Sequence, residues 1–127
     1  MQLGLINTLT IDRFTPPGAF LRDSQGNEVL LPKKYVKEDF KLEEEIDVFV
    51  FKDSEQRIVS TTEKPHLLLG QFTYLKVTQI QPIGAFVDWG LDKNLLVPYS
   101  EQIYNLEEEE SYLIALKYDD KTDRLYG

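Results

Sequence analysis

One phrase occurs twice in this chain without a gap. Gly18-Ala19-Phe20, followed at a distance by Leu30-Leu31-Pro32, returns as Gly84-Ala85-Phe86 followed by Leu96-Val97-Pro98, an offset of 66 residues in every column. Columns outside the phrases hold the same register: Gly4 with Gly70, Ile11 with Val77, Pro16 with Pro82, and Glu43-Glu44 with Glu109-Glu110. Self-similarity at a fixed period marks one structural unit used more than once. The 127 residues would fill one ordinary domain, but the repeat divides them into halves near the lower size limit for independent folding. The expected organisation is a first unit at 1–62, a linker at 63–69 and a second unit at 70–127.

Hydrophobic residues make up 42% of the chain, enough for two compact cores. No apolar run approaches the roughly 18 residues of a membrane span, and Met1 is not followed by a basic and then apolar leader. A cytoplasmic location is the expectation. The absence of cysteine excludes disulfide frameworks and thiolate metal sites. The formal charge of −8 is spread over both halves, with Lys+Arg 9 against Asp+Glu 12 through Lys64 and 5 against 10 from Pro65 onward. Phosphate contacts dominate nucleic-acid affinity and call for a basic footprint. This balance therefore argues against tight, non-specific binding and leaves room only for a local patch.

Each half reads as five strands. In the first, Leu3 to Phe14 mixes apolar and β-branched residues as a long half-buried strand does. After a turn at Pro16-Pro17, Gly18 to Arg22 forms the second strand, Asp23 to Asn27 a hairpin loop, and Glu28 to Leu31 the third. Pro32 is expected to end that strand, since proline cannot donate to the ladder. Lys33 to Leu42 suits a short helical turn or structured loop. Ile46 to Phe51 and Arg57 to Thr61 complete the set. The second copy repeats the order with Gly70 to Gln79, Ile83 to Trp89, Asn94 to Val97, Ser111 to Tyr118 and a strand starting at Arg124, its fifth strand cut short. Five short strands with a glycine opening the second fit an all-β chain of two tandem five-stranded barrels of the oligonucleotide-binding type, the second truncated in its last strand. Gly18 and Gly84 are where such a barrel needs a sharp bend or close backbone approach.

Phe20 and Phe86 stand at equivalent positions in the second strand. Pointing outward, each is a stacking platform for a base; pointing inward, each is core, and alternation alone does not choose the register. Trp89, Tyr74 and Tyr99 bring further rings to the second copy, of which one is expected in the core and at least one on the surface. Arg57 and Arg124 open the fifth strands, after Asp53 and Asp119-Asp120 respectively. Each is either a phosphate or base contact held by the aspartate or a turn ion pair. Lys33, Lys34, Lys37 and Lys41, with Arg22 nearby in the chain, make the one basic island, as a phosphate-tracking patch or ordinary loop solvation. The glutamate runs 43–45 and 107–110 read as solvated loops. No phosphate-cradling glycine loop, His/Cys cluster or Ser/His/Asp arrangement is present, and His66 is the single histidine. A non-enzymatic chain without metal or other cofactor is expected.

Gly84-Ala85-Phe86-Val87, Leu96-Val97 and Ser100-Glu101 resemble the hallmark phrases of S1-class oligonucleotide-binding barrels. Thr8-Leu9-Thr10-Ile11-Asp12-Arg13, Val29-Leu30-Leu31-Pro32-Lys33-Lys34, Lys64-Pro65-His66 and Asp88-Trp89-Gly90-Leu91 resemble more closely the first two S1 units of the conserved virulence factor B family. The resemblance implies a cytoplasmic bacterial protein that binds single-stranded RNA and regulates gene expression, with a third S1 unit and a winged-helix domain downstream. Carried over by position, the S1 binding face selects Phe20, Phe86, Asp53, Arg57, Asp119 and Arg124. The full set of expected RNA contacts is Phe20, Phe86, Arg22, Lys33, Lys34, Arg57, Arg124, Trp89 and Tyr99. Two columns depart from the S1 pattern: Pro17 and Ile83 stand where many units have an aromatic, and Pro32 and Pro98 where they have a histidine. The alternative reading is a pair of protein-interaction or spacer barrels whose RNA contacts are made by downstream domains.

Overall fold

The computed structural model describes residues 1–53, 57–102, 105–119 and 124–126, with the backbone alone for residues 101, 119 and 124–126. The chain divides into two compact units, Met1–Glu63 and Lys64–Gly127.

The first unit is a closed barrel of β1 (Leu5–Thr15), β2 (Gly18–Arg22), β3 (Glu28–Pro32), β4 (Glu45–Lys52) and β5 (Ile58–Thr61), in the order β1-β2-β3-β5-β4. The ladders are antiparallel except for β3 with β5, which pair in parallel and shut the barrel. Leu9, Ile11, Ala19, Leu21, Val29, Leu31, Val48 and Val50 fill the interior, alternating with outward residues along β2 and β3 as the two-residue period requires, whereas on β4 the intervening Phe49 is buried as well. The long first strand serves two partners, β4 along its first half and β2 along its second. It bends between them at a bulge: Ile11 faces Leu21 and Arg13 faces Phe20, leaving Asp12 without an opposite residue.

Gly18 is the tight point of the barrel. Its φ is +149°, and a Cβ built there would lie 2.1 Å from the Leu31 carbonyl oxygen, 2.8 Å from the Lys33 nitrogen and 2.9 Å from the Pro32 carbonyl carbon. Only glycine admits this approach of β2 to the end of β3. Pro32 ends the third strand as expected, standing as its last residue, one beyond Leu31 and opposite Gly18. The missing N–H is no obstacle there, because the ladder continues from Lys33, whose N–H donates to the Pro17 carbonyl at 2.9 Å. Lys33–Tyr35 then forms a single 3₁₀ turn.

The second unit repeats these devices. Its strands are β6 (Phe72–Gln81), β7 (Gly84–Asp88), β8 (Leu95–Pro98), β9 (Ser111–Ala115), β10 (Lys117–Asp119) and β11 (Arg124–Tyr126). Four of them form a curled sheet in the order β8-β7-β6-β9, with β10 and β11 as a two-stranded ribbon whose second strand lies beside β8. The bulge recurs between Val77 and Gln79, and Gly84 has the same φ of +149°. Among the described residues, Glu43 and Glu109 are the positive-φ residues other than glycine, at 67° and 68°, and their N–H groups donate to the Ile11 and Val77 carbonyls at 2.9 and 2.8 Å. The expected continuous strand from Ser111 to Tyr118 is interrupted at Leu116, which is buried and exchanges backbone hydrogen bonds with Gly70 and Gln71 instead. Residues of the expected linker are packed: the His66 N–H donates to the Trp89 carbonyl at 2.7 Å, and Leu67 is buried.

Candidate nucleic-acid interface

The alternation along β2 and β7 fixes the direction of the two phenylalanines. Ala19 and Leu21 are fully buried, as are Ala85 and Val87, so Phe20 and Phe86 between them point out of the sheet and are half-buried on its outer face. Each sits in the middle of a transverse row. In the first unit the row is Arg13, Phe20 and Leu30; in the second it is Gln79, Phe86 and Leu96. Side chains directly opposite across an antiparallel ladder have Cβ atoms about 4.5–5.5 Å apart, so the row neighbours decide what approaches each ring.

Arg13 covers Phe20. Its guanidinium carbon lies 4.4 Å from the ring centroid, within the range of a cation–π contact. The same guanidinium is held by the Asp12 carboxylate at 2.8 Å and by Glu28. Arg22 is likewise tied, to Asp12 at 3.0 Å and to Glu43. These bonds have the expected effect on charge. Hydrogen bonding from Arg13, with the charge of Arg22, holds the Asp12 carboxyl below its ordinary range, while Glu28 and Asp12 raise Arg13 and Glu43 raises Arg22. Chain positions 12, 13 and 28 correspond to 78, 79 and 94, and there the network is neutral: Asn94 donates through Nδ2 to the Thr78 hydroxyl at 2.8 Å, and that hydroxyl donates to the Phe86 carbonyl at 3.2 Å.

The other expected contacts fall in different places. Arg57 is exposed, and Asp53 fixes it from two sides, accepting from its backbone N–H and from Nε, both at 2.9 Å. Arg124 opens β11, but its side chain lies outside the described residues, as does the turn at Asp120. Lys33 and Lys34 are exposed on the 3₁₀ turn after β3, with the Lys34 ammonium 5.1 Å from the Tyr35 ring centroid. Tyr99 is 46% exposed and donates its hydroxyl to the Gln81 carbonyl at 2.9 Å. Trp89 is a correction. It is 4% exposed, its indole Nε1 donates to the Lys93 carbonyl at 2.7 Å, and its ring is part of the second unit's interior rather than a surface platform. A tryptophan needs a partner for its N–H when buried, and the Asp92-Lys93 turn supplies one.

Two features went unread in the sequence. Arg13 is adjacent to an aspartate in a strand and gives no local sign of lying over an aromatic. The apolar outer strip of the second unit was also missed: Phe72 and Tyr74 on β6 are 67% and 70% exposed, and Leu113, opposite Tyr74 on β9, is exposed beside them. Among the described residues no cluster of His, Cys, Asp or Glu has the geometry of a metal site, and no helix is long and apolar enough to cross a membrane.

A small barrel closed by a parallel pairing of its third and fifth strands, with aromatics on the outer face of the second, defines an oligonucleotide-binding-type module. Residues 3–63 match the S1 domain family. The chain is a homologue of the YitL and conserved virulence factor B proteins. It is 33% identical over 98 residues to protein YitL of Bacillus subtilis (strain 168), a match covering 76% of this chain and 33% of that one. It is 29% identical over 113 residues to conserved virulence factor B of Staphylococcus epidermidis (strain ATCC 12228), covering 84% and 38%, and 25% identical over 112 residues to that of Staphylococcus aureus (strain USA300), covering 84% and 37%. The chain thus spans about a third of the length of these relatives. The crystal structure of a multidomain protein with nucleic acid binding domains from Streptococcus pneumoniae TIGR4 superimposes with a TM-score of 0.80 at 24% identity, covering 98% of this chain and 45% of that one. At that identity the likeness speaks for the fold.

Proposed function

We propose that this chain is a non-enzymatic module that binds single-stranded RNA across the outer face of its second and third strands, as part of a longer cytoplasmic regulator of gene expression. The observation that carries the reading is the outward phenylalanine at the same place in both units, Phe20 on β2 and Phe86 on β7, each raised from a strand whose neighbouring residues are buried. An outward-facing ring on a sheet is a sequence-tolerant stacking platform where its face is open. The lysines at 33 and 34 follow β3 and Tyr99 follows β8, the strands beside those that carry the rings, while the exposed Arg57 stands just before β5, one strand further; there they would meet phosphates or bases. The S1 match of residues 3–63 supports a nucleic-acid role, as does the shared fold of the pneumococcal protein with nucleic acid binding domains.

The test is fluorescence anisotropy of a labelled 15-nucleotide single-stranded RNA at 50 and 200 mM salt. Binding should weaken as salt rises, since each neutralised phosphate releases a counterion. Replacing Phe86 by Ala should cost about 1–3 kcal/mol per stacked base. The exposed strip Phe72, Tyr74 and Leu113 favours a second reading, a protein contact through the β6–β9 face. In that case RNA binding is absent and Phe86→Ala changes nothing.

A further inference from the structure

We propose that Arg13 keeps Phe20 closed to a base, so that the two units have divided their roles and the second, through Phe86, supplies the stacking ring of this chain. The inference rests on the reading that the chain binds single-stranded RNA, and it concerns which copy does so.

The two rings occupy the same place in the same row and differ in one row neighbour. Opposite Phe20 stands Arg13, with its guanidinium carbon 4.4 Å from the ring centroid; opposite Phe86 stands Gln79. A base stacking on the β1-facing side of Phe20 needs the space the guanidinium fills. Arg13 does not yield it readily, because Asp12 and Glu28 hold the same guanidinium. Displacing it breaks the cation–π contact and two ion pairs together, where the gain is a single stacked base. Gln79 carries no charge to be drawn onto the ring or held by carboxylates, and the positions matching Asp12 and Glu28 are Thr78 and Asn94, which bond to each other. Arg22 is no substitute phosphate contact in the first unit, being tied to Asp12 and Glu43.

The experiment has two arms, both on the intact 127-residue chain. In the first, anisotropy with a labelled 15-nucleotide single-stranded RNA is measured for Phe20→Ala, Phe86→Ala, Arg13→Gln, Gln79→Arg and the double variant Arg13→Gln with Phe20→Ala. Phe86→Ala is expected to lower affinity about tenfold or more, Phe20→Ala less than twofold, and Gln79→Arg several-fold. Removing Arg13 should open the first ring, so that Phe20→Ala costs several-fold in the Arg13→Gln background. Equal losses for Phe20→Ala and Phe86→Ala, or a loss on Arg13→Gln as large as that of Phe86→Ala, would overturn the inference while leaving RNA binding intact. Absence of RNA binding by every variant would overturn the functional reading. The second arm needs no RNA: acrylamide quenching of a tryptophan introduced by Phe20→Trp or Phe86→Trp, with Trp89 as a common buried background. The new ring at 20 should be quenched less than the one at 86, and Arg13→Gln should remove the difference. Equal quenching before that change refutes the cover itself.

Discussion

Replacing Gly18 by Ala should unfold the first unit or bring it to the edge of unfolding, and the size of the effect follows from two separate costs. The backbone there has φ of +149°, a conformation L side chains rarely adopt, and holding a non-glycine residue in such a region costs about 1–3 kcal/mol. The added methyl group also meets three backbone atoms at 2.1, 2.8 and 2.9 Å, belonging to Leu31, Lys33 and Pro32. None is the end of a flexible side chain, so relief requires parting β2 from β3, and overpacking of this kind typically costs another 1–3 kcal/mol or so. Together they give about 2–6 kcal/mol. Small domains lie at the low end of the usual stability of about 5–15 kcal/mol, and at this size each kcal/mol moves the melting temperature by about 4–8 °C. A fall of roughly 10–45 °C is expected by calorimetry. Gly26→Ala is the control, because its φ is +86° yet nothing lies within 4 Å of its Cβ; it bears the conformational cost alone, about 1 kcal/mol. A Gly18→Ala protein melting within about 5 °C of the parent, or no more affected than Gly26→Ala, would refute the close-approach argument.

Trp89→Ala should cost the second unit about 3–5 kcal/mol, as truncation of a buried aromatic does, read as lost hydrogen-exchange protection in β6 and β7. Asp12 titrates below its ordinary value in the folded state because of Arg13 and Arg22. Its contribution is therefore present above the unfolded carboxyl value near pH 4 and lost as pH falls through the lower folded value. Urea unfolding between pH 5 and 2 should show a shallower acid loss in Asp12→Asn than in the parent. Glu109→Gly should stabilise the second unit by about 1 kcal/mol, since it relieves a left-handed residue and gives up only an exposed ion pair with Lys76. A lower calorimetric melting temperature for this variant would show that the turn depends on the carboxylate.

The strands were legible because their signals are local. Gly18 to Arg22 is bounded by two prolines on one side and a polar hairpin on the other, and its span in the structure matches the sequence reading residue for residue. Gly18 itself announced a close approach because a glycine opening an apolar strand has few other uses. Pairing was less visible. A straight ladder would have placed Asp12 opposite Phe20; the bulge skips one residue and puts Arg13 there instead. Neither Asp12 nor Arg13 carries a local mark of that slip, so the cover over Phe20 had no sequence signature within either strand. Trp89 misled for a related reason: burial of an indole depends on a carbonyl reaching its N–H, and the Lys93 carbonyl comes from a turn four residues on whose path the sequence does not fix. The left-handed Glu43 and Glu109 were hidden because glycine or asparagine is the usual occupant of that conformation.

Comparison of the copies separates what positions the ring from what acts on it. The bulge, the glycine at φ +149°, the left-handed glutamate and the 3₁₀ turn after the third strand all recur 66 residues apart. Each is a backbone feature, and together they aim β2 and β7 so that the third residue of each strand points outward. The side chains around that residue have not been kept: Asp12, Arg13, Arg22 and Glu28 are matched by Thr78, Gln79, Asp88 and Asn94. Random drift on a solvated face would be expected to alter these positions singly and leave some charges without partners. Instead the first unit has a closed set in which each arginine is held by two carboxylates, and the second has an uncharged pair at the two corners nearest its ring. The aspartate at 12 accepts from both arginines, one on each carboxylate oxygen, and so links the members of the set. A face that has exchanged two held arginines beside its ring for an uncharged pair, on an unchanged backbone, differs in what it can bind and not in how it folds.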